Sequence, residues 1–573
     1  LLPAVELGPR TVVRAALRLA VEHTDDLHVV TLPMPQGHLS ARPVQRTRVS
    51  IDLKGQKPLR AITSPTHDLQ VRRDGPRAAR AAATLEGLAD GGDLQLFFVE
   101  DDDALGLRLL SHRVEGDAAG YFMLLGFPSG DADAPPPPKD IVLAVDTSGS
   151  MRGEKMEQAR AAVSYVLDHL GAEDRFDLIT FGTDVSRLDA KLVAADPAGV
   201  ARGQAFLDAA VAHGRTNIAE ALATSLAGQP SDRPRIVIFL TDGAPTAGEM
   251  RPEAIIEQIP KLNTSRARVF VMGVGHDVHT HLLDRIAADT GGTTTYVDPA
   301  EAIDVKLAAL YDGLSHPVLA DVALAFSGVQ VDRVEPATLP TLFRGQELMV
   351  LGRYTGGGPA TVTLRGTLGG VERTHTVTAE LPKDARAEHG FVAALWAGRR
   401  LGALLRKVRL HGEDEASVAE IVQLSRDFGI VTEYTRFLAD EALDGAEAAT
   451  RARTLMREAN LQTSGVWAVS QANNEAHLMK KRVASGMDNS YVDRRGERRQ
   501  ATKTKTVGRR TFYRRDGKWV QADDGPKPAK KRRVKRFSDD YFRMVEENPD
   551  VAKAQQLDGE MEMTVDDVRV EFY

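Results

Sequence analysis

Residues 140–151 read DIVLAVDTSGSM. Every side chain from Ile141 to Val145 is apolar, and the run stops at an aspartate followed by serines at alternate positions. A strand without polar alternation has both faces buried, which is the mark of a parallel sheet covered by helices on each side. Similar runs recur in FDLITF (176–181), RIVIFL (235–240) and RVFVMGV (268–274). Between them lie amphipathic stretches of helical length, among them KMEQARAAVSYVLDHL (155–170), IAEALATSLAG (218–228) and HLLDRIAADTGG (281–292). This alternation predicts a doubly wound α/β domain over residues 139–315.

On its amino-terminal side stand four consecutive prolines, Pro135 to Pro138. They lack amide hydrogens and cannot join a sheet or helix interior, so a stiff polyproline spacer and a domain boundary are expected there. Upstream, residues 10–128 carry short β-rich runs such as RTRVSIDL (46–53), LQLFFVE (94–100) and GYFMLLGFP (120–128). With turn-rich connections they predict a β-sandwich-like domain over 1–130. Downstream, β patterning returns over 316–380 and gives way to helical periodicity in FVAALWAGRRLGALLRKVRL (391–410) and SVAEIVQLSRDFG (417–429), defining a unit over 316–441. Trp396 and Leu401 read as its core. The two β-rich flanks are expected to pack together, because the α/β domain's chain ends enter and leave on one side. Residues 442–507 are polar and Ala-rich, then basic, and are expected to be a linker. Residues 508–573 read as a small α+β unit, with Asp516-Gly517 as a hairpin turn.

The bulk composition agrees with a multidomain globular chain: 573 residues, 42% hydrophobic and 27% charged. A net charge of −7 over that length predicts neither nucleic-acid nor membrane binding by the chain as a whole. The absence of cysteine excludes disulfides, thiolate metal sites, Cys nucleophiles and iron–sulfur clusters. No apolar run approaches the roughly 18 residues that span a bilayer, and the opening LLPAVELGPRTVVRAALRLAVEH shows no export signal.

In an open parallel sheet, ligands sit outside the carboxyl ends of the strands, where Asp146 is expected. Alternation along an extended turn brings Asp146, Ser148 and Ser150 to one side, presenting a carboxylate and two hydroxyls. Two further oxygens stand at equivalent places: Thr216 at a loop-to-helix junction in GRTNIAEAL and Asp242 directly after RIVIFLT. Hard oxygen donors with few negative charges suit Mg²⁺ or Mn²⁺ better than Zn²⁺. Two carboxylates and three hydroxyls nearly balance a divalent ion while leaving coordination positions open to an incoming acidic group.

Asp-x-Ser-x-Ser after the first strand, a Thr before a helix and Thr-Asp-Gly after a later strand resemble the metal-ion-dependent adhesion site (MIDAS) of von Willebrand factor type A domains. VLADVALAFSGV (318–329), ATLPTLFRGQELMVLGRYTG (337–356), LWAGRRLGALL (395–405) and IVTEYTRFLADE (430–441) resemble the region after that domain in inter-alpha-trypsin inhibitor heavy-chain-like proteins. Residues 10–128 resemble the later part of their VIT domain. The resemblance implies a Rossmann-like type A domain inserted between β-sandwich-like segments and followed by helices. It also implies a non-enzymatic, adhesive role in which a protein partner completes the metal shell with a Glu or Asp carboxylate, and a secreted or cell-envelope location. The chain departs from the family's pattern at Glu433 and Arg436, where Pro and Ser are common, and after Asp444, where it looks like bacterial members.

The rival readings are weaker. Helix capping alone explains Asp146, Ser150, Thr216 and Asp242 one at a time but not their ordered combination. A phospho-aspartate phosphatase would want an acid at position 148, and no G-x-S-x-G surrounds either serine. Gly273-x-Gly275 lacks the third glycine of a dinucleotide fingerprint. His276, His279 and His281 come without the cysteines or H-E-x-x-H that would argue for zinc. Finally, residues 494–536 hold 18 Lys or Arg against four acids, with Phe512, Tyr513 and Trp519 among them. That composition offers an alternative function, binding of a polyanion or single-stranded nucleic acid through the tail, although such runs are more often solvated linkers.

Overall fold

The computed structural model describes residues 21–24, 27–32, 34, 46–86, 93–100, 105–114, 116–128, 137–344, 346–368, 371–384, 389–441, 443, 445–484, 489–507, 510–522, 530–555 and 557–573. Residues 10–20 of the expected β-rich segment, Pro135 and Pro136 of the spacer, and residues 523–529 of the basic stretch 494–536 lie outside these residues. The chain divides into two compact units, 1–102 and 103–573.

In the first unit, strands Leu27–Leu32 and Leu59–Thr63 flank Leu94–Glu100 in a four-stranded sheet. A second sheet pairs Arg46–Lys54 and Gln70–Arg73 with Ala78–Glu86. Alternation puts Val49, Ile51 and Leu53 on one face, against Leu94 and Leu96 of the other sheet.

The second unit is centred on the α/β domain. Its sheet runs, in spatial order, Val185–Arg187, Arg175–Phe181, Asp140–Asp146, Arg235–Thr241, Arg268–Val274 and Thr294–Val297. All pairs from Arg175–Phe181 onward are parallel, and Val193–Ala194 adds a short antiparallel edge beside Val185–Arg187. Helices α1 (Glu154–Asp168), α2 (Pro197–Ala209) and α6 (Ile303–Leu314) cover one face through Ala162, Val166, Leu207 and Leu307. Helices α3 (Ile218–Leu226), α4 (Pro252–Leu262) and α5 (Thr280–Asp289) cover the other through Leu222, Ile255, Leu283 and Ile286. The first strand lies between the second and third, so the strand order reverses there, and the crevice outside the carboxyl ends of Asp140–Asp146 and Arg235–Thr241 is where this topology places ligands.

Strands from both flanks of the α/β domain meet in one sheet. Ala119–Gly126 pairs over its whole length with Leu348–Thr355, and Arg108–His112 and Gln330–Glu335 complete that sheet. A second sheet, built from Pro317–Ser327, Gly358–Leu368 and Val371–Leu381, shares a core with it in which Leu124 and Val350 meet Leu319 and Val362.

Helices α7 (Phe391–His411) and α8 (Glu415–Phe428) come next, with Trp396 and Leu401 fully buried. The segment 442–507, expected to be a linker, instead contains α9 (Gly445–Asn460) and α10 (Gly465–Met479). α9 buries Ala448, Ala452 and Ala459 beside Met456, and α10 buries Ala468 and Ala472 among the polar Ser470, Gln471 and Glu475, a weak hydrophobic signal that nonetheless allows close helix packing. Val469 and Ala472 of α10 join the core of the α/β domain itself. At Gly402 of α7 the end of α10 comes close, a Cβ there lying 2.8 Å from the Leu478 Cβ and from the Met479 nitrogen. Gly402→Ala is therefore expected to destabilise the chain by about 1–3 kcal/mol, read from urea unfolding curves.

The same layer contains the departing residue Glu433. Its carboxylate accepts the indole N–H of Trp467 at 2.8 Å and an amide N–H of Asn474 at 3.3 Å. Burial outweighs these neutral donors and pushes the carboxyl from 4.5 up to about 7. Between those values the folded chain holds the proton more tightly than the unfolded chain, so this contribution to stability is present at low pH and is lost as pH rises toward 7. Glu433→Gln should flatten the fall in unfolding free energy across that window by on the order of 3 kcal/mol, measured as the difference from wild type at each pH.

In the tail, a six-stranded sheet with α11 (Asp539–Glu547) and α12 (Pro549–Ala554) encloses Phe512, Trp519, Tyr541 and Phe572. Asp516 and Gly517 both take positive φ, 48° and 84°, in the tight turn between Arg510–Arg515 and Lys518–Gln521. The aromatic half of the polyanion reading is overturned. Phe512, Tyr513 and Trp519 are buried, because strand alternation turns them into the unit's packing surfaces and leaves none of the three rings exposed to stack on a base. Many of the basic side chains meet acids distant in sequence, as in Lys503–Asp440, Arg510–Asp550, Lys518–Glu571 and Arg533–Glu571.

Candidate metal centre

Asp146 ends the first strand and Thr241 ends the third, its neighbour in the sheet. The turn after Asp146 is tied to the loop before α3: His213 N–H donates to Thr147 O and Gly149 N–H to Gly214 O. Gly214 has φ 78°, and a Cβ on it would lie 2.5 Å from the Thr183 hydroxyl, so this approach needs glycine. Thr216 is linked in turn to the loop after Asp242. Its N–H donates to Thr246 Oγ1, and its carbonyl accepts from Thr246 and Ala247 N–H. Asn217 then caps α3 by accepting from Glu220 N–H.

Four of the five residues expected at a metal site form one hydrogen-bonded run. Asp146 Oδ1 accepts Ser148 N–H at 2.8 Å, the Ser148 and Ser150 hydroxyls lie 3.1 Å apart, and Ser150 Oγ donates to Asp242 Oδ1 at 2.7 Å. Thr216 stands on the adjoining loop, with its hydroxyl 3.6 Å from where a side chain on Gly243 would begin. Asp146, Ser148, Thr216 and Asp242 are buried, while Ser150 is exposed and marks the mouth. Burial, together with the nearby Asp242 charge, raises the Asp146 carboxyl to about 6 against the lowering effect of its Thr241 and Ser148 hydrogen bonds. Two buried carboxylates facing a solvent opening through hydroxyls are a donor set that fits a small divalent cation.

Two residues missed from sequence complete the arrangement. Thr241 Oγ1 donates to Asp146 Oδ2 at 2.6 Å and fixes the carboxylate from the neighbouring strand. Lys155, on the first turn of α1, places Nζ 2.6 Å from Asp242 Oδ2. A cation in a helix's first turn opposes the helix dipole, which was the available clue that it has an acidic partner.

The histidines have structural contacts. His279 caps α5 by accepting from Leu282 N–H, His281 Nε2 lies 3.1 Å from Leu410 O, and His276 faces Asp298. Among the described residues no group of three or more His, Cys, Asp or Glu could hold a metal ion. Nor, among them, is any helix long and apolar enough to cross a membrane.

Residues 140–307 match the family model of the von Willebrand factor type A domain. The chain is 28% identical over 347 residues to inter-alpha-trypsin inhibitor heavy chain H4 of Homo sapiens, covering 57% of this chain and 37% of that protein. It is 27% identical over 417 residues to heavy chain H2 of Sus scrofa, covering 68% of this chain and 42% of that one. The chain thus spans about two fifths of the length of the curated relatives it matches. Among solved structures, von Willebrand factor type A from Catenulispora acidiphila aligns over 57% of this chain and 88% of its own, with TM-score 0.42 and 16% identity. Residues 140–307 are a von Willebrand factor type A domain, carried in a chain similar to the inter-alpha-trypsin inhibitor heavy chains.

Proposed function

We propose that the type A domain holds Mg²⁺ or Mn²⁺ at Asp146, Ser148, Ser150, Thr216 and Asp242, and that the chain is a non-enzymatic interaction or adhesion protein. Its partner is a protein presenting a Glu or Asp carboxylate at the exposed mouth. The observation that carries this reading is the run from Asp146 through Ser148 and Ser150 to Asp242, which joins two buried carboxylates at neighbouring strand ends. When bound, the ion supplies a Lewis-acidic position for the partner's carboxylate. Ser148, Ser150 and Thr216 contribute hydroxyl oxygens. Asp146, kept in orientation by Thr241, and Asp242 balance the charge. On this reading the chain works in the cell envelope or outside the cell, as a domain built for capture would.

Binding of the full chain to an immobilised Glu-rich polypeptide tests this. It should require Mg²⁺ or Mn²⁺, be abolished by EDTA, and change little as NaCl is raised. Binding that ignores EDTA and weakens steeply with salt would instead assign capture to the basic tail.

A further inference from the structure

Lys155 contributes a charge that the five-residue site does not account for. Asp242 is fully buried, yet the lysine that meets it keeps 38% of its side chain exposed, so a flexible stem reaches inward from solvent to deliver an ammonium. Asp242 Oδ2 takes that ammonium at 2.6 Å while Oδ1 takes the Ser150 hydroxyl at 2.7 Å, so the protein itself engages both oxygens. The arrangement also answers an energetic need. Two carboxylates out of water and close enough to interact are costly without a cation, and a charge-assisted hydrogen bond to Lys155 offsets part of that cost. A lysine suits the task because its ammonium is a compact charge on a retractable chain, where the planar fork of arginine would hold the carboxylate in a fixed geometry.

We propose that Lys155 is a tethered cation that neutralises Asp242 while the site lacks a metal and must be displaced before a divalent ion can use that carboxylate, so that competition between the two sets the metal affinity. The inference rests on the metal reading of the site. It makes the domain fold stably at low divalent-ion concentration and bind the ion only above a threshold fixed by the lysine.

The test is calorimetric titration of Mg²⁺, and separately Mn²⁺, into the full chain of wild type, Lys155→Met and Lys155→Arg. Lys155→Met is expected to bind each ion about tenfold more tightly, the loss of one charge-assisted hydrogen bond in competition. Lys155→Arg, which keeps the charge but grips the carboxylate in a fixed geometry, should bind each ion more weakly than wild type. Thermal melts give a second readout: Lys155→Met should melt below wild type in EDTA, where Asp242 is left without its cation, and equal it in saturating Mg²⁺. Lys155→Gln provides the same comparison if the methionine variant does not fold. Equal or weaker ion binding by the neutral variants, with wild type still binding, overturns the competition and leaves the metal site standing. If neither wild type nor the variants bind Mg²⁺ or Mn²⁺, the metal reading itself fails, and the competition falls with it.

Discussion

Asp146→Asn is expected to leave the fold intact and to remove the entire stabilisation that Mg²⁺ confers. The asparagine oxygen still accepts the Ser148 N–H, and its amide can donate to the Thr241 hydroxyl, which rotates to accept, so neither present partner is orphaned. What disappears is a buried negative charge. Because burial already raises the Asp146 carboxyl to about 6, neutralising it relieves a cost, and unfolding curves in EDTA should place the variant level with wild type or above it. With Mg²⁺ at a hundred times its dissociation constant, wild type should gain about 2.7 kcal/mol and the variant nothing. His279→Ala is the control: it removes a helix cap, lowers both curves and leaves the Mg²⁺ gain in place. A site residue whose neutralisation costs no stability without metal but abolishes the response to it is held there for function, and capping alone would give the opposite pattern.

The second large effect is structural. Arg409 of α7 is 7% exposed and is shared between two acids on other helices, Asp284 of α5 at 2.5 Å and Glu475 of α10 at 2.8 Å, themselves 7% and 4% exposed. Breaking such a buried group by removing one member leaves uncompensated charge, here two carboxylates at once. Arg409→Ala is expected to cost about 3–5 kcal/mol in urea unfolding. Because the triad joins α5 of the type A domain to α7 and α10, the loss should appear in one cooperative transition. Backbone bonds reinforce the same contact: Thr280 N–H donates to Thr463 O, and Gly465 N–H to His276 O. The helical layer is thereby part of the type A domain's own support.

How much of this was legible in the sequence depends on how local each signal is. The sheet's inner strands are written as unbroken apolar runs, and Asp146 and Asp242 each end or follow one, so the strand ends and their chemistry could be read together. Lys155 could not, because its meaning depends on a carboxylate 87 positions away. That the two β-rich flanks meet was expected from the chain ends of the α/β domain, but which strands pair was hidden for the same reason. Nothing within GYFMLLGFP shows that Ala119–Gly126 pairs with Leu348–Thr355 across the entire type A domain. The alanine stripe of α9 and the mixed alanine and polar stripe of α10 fell below what hydrophobic periodicity detects, which made a packed layer read as a linker. In the tail, counting charge over 494–536 left out the acids that balance it. Residues 537–573 hold 11 acids against three Lys or Arg, and the parallel pairing of Lys530–Val534 with Val568–Phe572 brings the two sets side by side.

If five residues from three separated segments share one divalent ion, anomalous scattering from crystals of the full chain grown in Mn²⁺ will locate it. One manganese peak per chain is expected, enclosed by Asp146, Ser148, Ser150, Thr216 and Asp242, and absent from Asp146→Asn crystals grown the same way. A peak at His279 and His281 instead, or a site that stays empty while Lys155 remains on Asp242 at saturating Mn²⁺, would contradict the shared-ion assignment.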